Sequence, residues 1–136
     1  MNNCNNQCKV CNRLVFSTSV TIVTVDGTDT LVIDLPASTY MNGCKYCVVI
    51  TQPIPVAATI NMPVAFSIGG VTTTVYPFIN CNCTQVTACG VQTRTRYPVY
   101  VFTNATGGVF RTNRQLCCYP TNNLISLPAP AVAEGG

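Results

Sequence analysis

The chain has 136 residues and a formal net charge of +3, with 8% charged residues, 48% apolar residues, 10 Cys, no His and no Trp. That composition excludes intrinsic disorder, which needs low hydrophobicity and high net charge. It also excludes a coiled coil, because Glu occurs once, at Glu134, and it excludes His-dependent catalysis and His-ligated metals.

Residues 1–12 form an Asn-rich arm carrying Cys4, Cys8 and Cys11, with too few apolar side chains to build a core. Strict alternation predicts a strand over 14–23, at a period of two rather than 3.6. Asp26-Gly27 predicts a hairpin turn into a strand over 30–35. Residues 36–43 read as a loop, and 46–51 as a short, nearly continuous apolar strand, hence a central one. Gln52-Pro53-Ile54-Pro55 ends it. Strands over 56–60 and 64–68 flank Pro63, which marks an edge or a bulge. Gly69-Gly70 predicts a second hairpin, into 71–76. Residues 77–90 are a Cys-rich connection. The longest strand spans 93–103 and is interrupted by Pro98. Residues 104–108 turn into a strand over 109–112, and a last short strand covers 124–127. Residues 128–136 are a Pro/Ala tail that continues neither sheet nor helix. No stretch carries a helical period. The expectation is therefore an all-β chain: an antiparallel β-sandwich or jelly roll of about eight strands over 13–127. Thr, with 19 copies, suits such a pleated surface and keeps it polar without charge.

The five Phe, at 16, 66, 78, 102 and 110, fall on alternating apolar positions and read as core. Tyr97 and Tyr119, each before a Pro, read as partly exposed, where they serve to stack on a sugar or on another subunit.

The cysteines carry the most distinctive pattern. Their spacings are Cys4-x3-Cys8-x2-Cys11, Cys44-x2-Cys47, Cys81-x-Cys83-x5-Cys89 and adjacent Cys117-Cys118. Cys8, Cys11, Cys44 and Cys47 have the two-by-two form of a Cys4 zinc site, which makes zinc the alternative cofactor. Against it, Cys44 and Cys47 flank a strand entry rather than a knuckle, and positions three apart in a flat strand point to opposite faces. The leading reading is disulfides, with all ten cysteines as candidates for bonding within or between subunits and no cofactor. Spacing does not fix the connectivity. Cys117 and Cys118 point to opposite sides of an extended chain and call for different partners. Cys81 and Cys83 would share one face of a strand. Three cysteines on an arm without a core are useful only if they reach something else: the body of the same chain or a neighbouring copy.

Catalysis finds little material. The acids are Asp26, Asp29, Asp34 and Glu134, and only Asp29 and Asp34 can be pressed into a glycosidase pair. Ser and Cys nucleophiles lack a His partner. A Ser–Lys pair would need Lys9 or Lys45 beside Ser17, Ser19, Ser38, Ser67 or Ser126. Asp26-Gly27-Thr28-Asp29 has too few oxygen ligands for a calcium loop. Arg94 and Arg96 form the one local basic pair, read as a solvated or intersubunit strand face. The net charge is too small for a nucleic-acid protein, and no apolar run approaches the length of a membrane span. The polar N-terminus lacks the apolar region of a classical signal peptide. The expected setting is extracellular or a particle surface, with oxidation after release.

A short chain with a Cys-bearing N-terminal arm before a Thr-rich jelly roll resembles the subunits of bacterial endospore appendage fibres. The resemblance implies Cys4, Cys8 and Cys11 as donors of bonds to the next subunit. Acceptors would lie among Cys44, Cys47, Cys81, Cys83, Cys89, Cys117 and Cys118. Small phage virion decoration or fibre proteins share the Thr/Asn/Gly-rich surface and stand second. The expected role is a non-enzymatic, self-assembling building block whose partners are copies of itself and other coat or fibre proteins. The alternatives are a glycan-binding module and a zinc-stabilised domain.

Overall fold

The computed structural model describes residues 13–104 and 107–118. Its strands are β1 (Arg13–Phe16), β2 (Ser19–Val25), β3 (Thr28–Leu35), β4 (Lys45–Val49), β5 (Val64–Ile68), β6 (Val71–Ile79), β7 (Arg96–Asn104) and β8 (Gly107–Arg111). Both Gly-containing hairpin signals are realised. Asp26, Gly27, Gly69 and Gly70 have φ of 50°, 80°, 63° and 80°. That is the type I′ geometry, whose twist matches the flanking strands.

The strands form one sheet in the order β1-β4-β7-β8-β6-β5-β3-β2. It is mixed rather than antiparallel. β1/β4, β3/β5 and β6/β8 run parallel, and the other four pairings run antiparallel. The parallel partners lie 33, 33 and 32 positions apart in the chain (Arg13 to Tyr46, Leu31 to Val64, Phe78 to Phe110). A single buried cluster unites Val15 of β1, at one edge, with Val20 of β2, at the other. The sheet therefore curls around its core as a half-barrel.

The two edges belong to almost continuous chain. The strand expected over 14–23 breaks at Ser17-Thr18 because each residue is captured by a different half of the sheet. Ser17 is buried. Its N–H donates to the Val49 carbonyl (2.9 Å), its hydroxyl to Gln52, and its carbonyl accepts from Thr51 (3.0 Å) and Gln52 (2.9 Å). Thr18 instead donates to Asp34, from its N–H to the carbonyl (2.8 Å) and from its hydroxyl to the carboxylate (2.5 Å).

Alternation sorts the remaining faces. Tyr46 and Val48 of β4, and Tyr97, Val99 and Val101 of β7, point inward and are buried. Phe66 stacks on Phe110 at 5.1 Å and meets Phe78 at 4.9 Å, forming the aromatic centre. Phe16 and Phe102, by contrast, are 51% and 37% exposed. In β1 both parities are apolar, and Val15 takes the inward one.

Several expectations are corrected. No strand forms over 56–60. Val56 is wholly exposed, and the segment is turned by Ala58 N–H to Pro55 O (3.0 Å) and Met62 N–H to Thr59 O (3.1 Å). Pro98 does not interrupt β7. It lies opposite Cys47, beyond the last pair with β8, Tyr100 with Arg111, so its missing N–H costs no ladder bond there. Tyr97 is buried rather than exposed, edge-on to Phe78 at 6.2 Å, with its hydroxyl accepting from Gln92 N–H (2.8 Å). The strand expected over 124–127, Tyr119, the arm and the tail lie outside the described residues.

Candidate functional site

Five cysteines gather at one end of the half-barrel, where the chain leaves the ladder after β6 and after β8. Cys81 and Cys83 sit not on a strand but in a turn closed by Asn80 N–H to Thr84 O (2.8 Å) and Cys83 N–H to Asn80 O (2.9 Å). Asn82 explains the turn, since its side-chain oxygen accepts from the Thr84 N–H (3.1 Å) and hydroxyl (2.6 Å). Cys83 has φ 69°, a left-handed conformation that costs a non-Gly residue roughly 1 kcal/mol or more.

Cys89 lies in the short 3-10 turn Ala88–Gly90 and is bonded to Cys118, with Cα atoms 4.6 Å apart. Cys118 is thus bonded to Cys89, while Cys117 keeps its thiol. The segment after β8 runs along the Cys81–Cys83 turn. Cys81 N–H donates to Arg114 O (3.1 Å), and the buried Asn80 side chain accepts from Leu116 N–H (2.7 Å). Gly90 permits the approach, because a Cβ there would lie 3.2 Å from the Leu116 carbonyl oxygen. Gly90, Arg114, Gln115, Leu116 and Cys117 line an open cleft of about 190 Å³. Cys81, Cys83 and Cys117 are exposed and bear thiols. The Arg111 guanidinium approaches the Cys83 sulfur at 3.9 Å, and Cys81 lies 4.0 Å from the Gln115 side-chain oxygen. Nothing in the sequence spacing marked Arg111 as a neighbour of Cys83, since 28 residues separate them.

The second pair lies elsewhere. Cys44 is buried and disulfide-bonded, and Cys47 is half-buried on the outward side of β4. Of the alternative zinc set, Cys8 and Cys11 are outside the described residues. Cys44, bonded to sulfur, has no thiolate to offer a metal. Among the described residues, no group of three or more His, Cys, Asp or Glu side chains is arranged to hold a metal ion. No helix among them is long and apolar enough to cross a membrane.

The carboxylates serve as braces. The Asp34 carboxylate takes the Thr18 hydroxyl, the Ser67 hydroxyl (2.7 Å) and the Gly70 N–H (2.8 Å). Burial raises its pKa, but these three hydrogen bonds together outweigh that and hold it below the ordinary Asp value. Asp29 accepts from the Thr24 hydroxyl (2.8 Å). Arg94 is not on a strand with Arg96. It sits in the turn before β7 at φ 62°, and its N–H donates to Ile50 O. A second open groove, of about 380 Å³, runs between Leu14, Val15 and Phe16 on β1 and the stretch 36–40.

Comparison with protein-family models, with curated proteins and with solved structures finds no match.

Proposed function

We propose that this chain is a structural, self-assembling subunit of an extracellular fibre or particle shell, joined to its neighbours by disulfides. In this reading the curled sheet is a jelly-roll-like body, and residues 1–12 are the arm that reaches the next copy. The observation that carries it is the cluster of exposed thiols, Cys81, Cys83 and Cys117, at one end beside a formed disulfide. Cys81 and Cys83 stand on backbone held by hydrogen bonds, and Cys117 lies between Leu116, whose N–H Asn80 accepts, and the bonded Cys118. Cys83 keeps its place at a conformational cost that a Gly would avoid. Joining two such thiols removes two protons and two electrons, which pass to an oxidant such as dioxygen outside the cell.

Gel electrophoresis of natively isolated material, with and without reductant, tests the reading. Covalent multimers that collapse to monomer on reduction are expected. Replacing Cys81, Cys83 and Cys117 together by Ser should thin that ladder. A monomer in both lanes rejects covalent assembly. Retention of a soluble monomer on a sugar array would favour a glycan-binding module instead.

A further inference from the structure

The charges separate between the two halves of the sheet. Among the described residues, Arg13, Lys45, Arg96 and Arg111 lie on β1, β4, β7 and β8, while Arg94 and Arg114 flank those strands. The described carboxylates, Asp26, Asp29 and Asp34, all belong to the β2–β3 hairpin. Asp34 is occupied by its own three donors. Asp26 and Asp29 are exposed at the tip of a hairpin closed by its type I′ turn.

Among the described residues, the cationic half also exposes apolar side chains on its outward face. Register sets Phe16, Val49 and Arg96 in one row, Leu14, Cys47 and Pro98 in the next, and Lys45, Tyr100 and Arg111 in a third. Leu14 and Phe16 are 46% and 51% exposed. Arg111 lies over the Phe102 ring, 4.8 Å from its centroid. The surface is thus apolar and aromatic, studded with cations.

We infer that this outward face of β1, β4, β7 and β8 docks the Asp26–Asp29 hairpin tip of a second copy. The inference rests on the reading of the chain as a self-assembling subunit and names the surfaces involved. Charge complementarity selects the occupant, because the chain carries its own anionic tip to match its own cationic face. Exposed Leu14, Phe16 and Phe102 favour a protein partner over a phosphate backbone, which is bound through Lys and Arg contacts and gains nothing from aliphatic surface. The two surfaces differ, so the contact is head-to-tail and repeats from copy to copy, giving a ring or an open filament. Disulfides at the cysteine-bearing end would then fix contacts that charge first selects.

The test uses the full chain as monomer isolated in high salt, free of intersubunit disulfides, with its exposed thiols alkylated without reduction. That keeps the existing disulfides and blocks new cross-links. Sedimentation velocity should show self-association at low salt. It should weaken by about tenfold or more when the salt is raised to roughly 0.5 M, where the screening length falls to a few Å. Arg96→Glu with Arg111→Glu should be monomeric. So should Asp26→Asn with Asp29→Lys, in which Asn suits the positive φ. Circular dichroism should match the parent in both, with melting lowered only slightly by loss of the Thr24–Asp29 hydrogen bond in one and of the Arg111–Phe102 contact in the other. Mixing the two variants should restore association, since each supplies the surface that the other opposes. Association unchanged in either variant, or a parent that is monomeric at every salt, overturns the inference. A monomer retained on heparin overturns it in favour of a polyanion site. A disulfide ladder without salt-sensitive association sinks this interface alone. Salt-sensitive association without a ladder sinks covalent assembly alone.

Discussion

The centre of the sheet and its cysteine-bearing end are held by different means. At the centre, Leu31 and Ile33 of β3 face Val64 and Phe66 of β5, all essentially without solvent exposure. There the ladder satisfies the backbone and the packed side chains exclude water. At the end formed by residues 80–90 and 112–118, the chain has left the ladder. Its backbone groups are met by local turn bonds and by side chains together. Gln85 donates to the carbonyls of Val64 (2.8 Å), Phe78 (2.9 Å) and Val86 (2.8 Å), and Asn80 takes Leu116 N–H. The Cys89–Cys118 bond closes the arrangement. Cross-links stand where regular pairing stops, and strands β3 and β5 contain no cysteine.

Removing the aromatic centre tests the first half of that contrast most severely. Phe66→Ala should cost about 3–5 kcal/mol, through lost burial and the cavity left between Phe78 and Phe110, and denaturant unfolding reads it. The second half predicts a somewhat smaller loss for Cys89→Ser. Freeing a loop with a sequence separation of 29 should cost roughly 3–4 kcal/mol by the loop-entropy estimate. Hydrogen exchange should then report local opening over 80–90 with β3 and β5 still protected. If protection at β3 falls equally, the two regions are one cooperative unit and the contrast fails. Asn80→Ala leaves Leu116 N–H without its acceptor and should cost about 1–3 kcal/mol, again opening the end before the centre.

The smallest effect concerns Asp34. Its folded pKa lies below the unfolded value, so its contribution is present in full above the ordinary Asp range. It is lost as pH falls through the lowered folded value. Asp34→Asn should flatten that acid limb of the stability–pH curve, measured by chemical denaturation at a series of acidic pH values.

Much of the fold was legible because local chemistry determined it. Asp26-Gly27 and Gly69-Gly70 admit positive φ, and both turned where expected. What misled was apolar alternation on both parities. Residues 14–23 read as one strand because the pattern does not register that Ser17 and Thr18 are claimed by partners 32–35 and 16 residues away, respectively. Phe16 and Phe102 were indistinguishable from core for the same reason. Non-local pairing leaves no short turn to announce it, so four of the neighbour relations were invisible, the three parallel ones and β4/β7. In the candidate site, adjacency called for different partners for Cys117 and Cys118; Cys118 has Cys89, and Cys117 carries a thiol. The choice of Cys89 as partner, and the nearness of Arg111 to Cys83, are products of tertiary approach.

The non-local pairings set the clock of folding. The hairpins β2–β3 and β5–β6 need only two-residue loops, and such units close in about 1–10 μs. Each parallel rung must wait for some 32–33 residues of intervening chain to be brought round. Non-local contacts of this kind slow folding, because loop entropy is lost before contact is gained. By the same argument the antiparallel β4/β7 pairing, whose partners run from Val49 with Arg96 to Lys45 with Tyr100 and are further apart in the chain than any parallel pair, closes after the hairpins too. Until that moment the strand edges stand open to any other nascent copy.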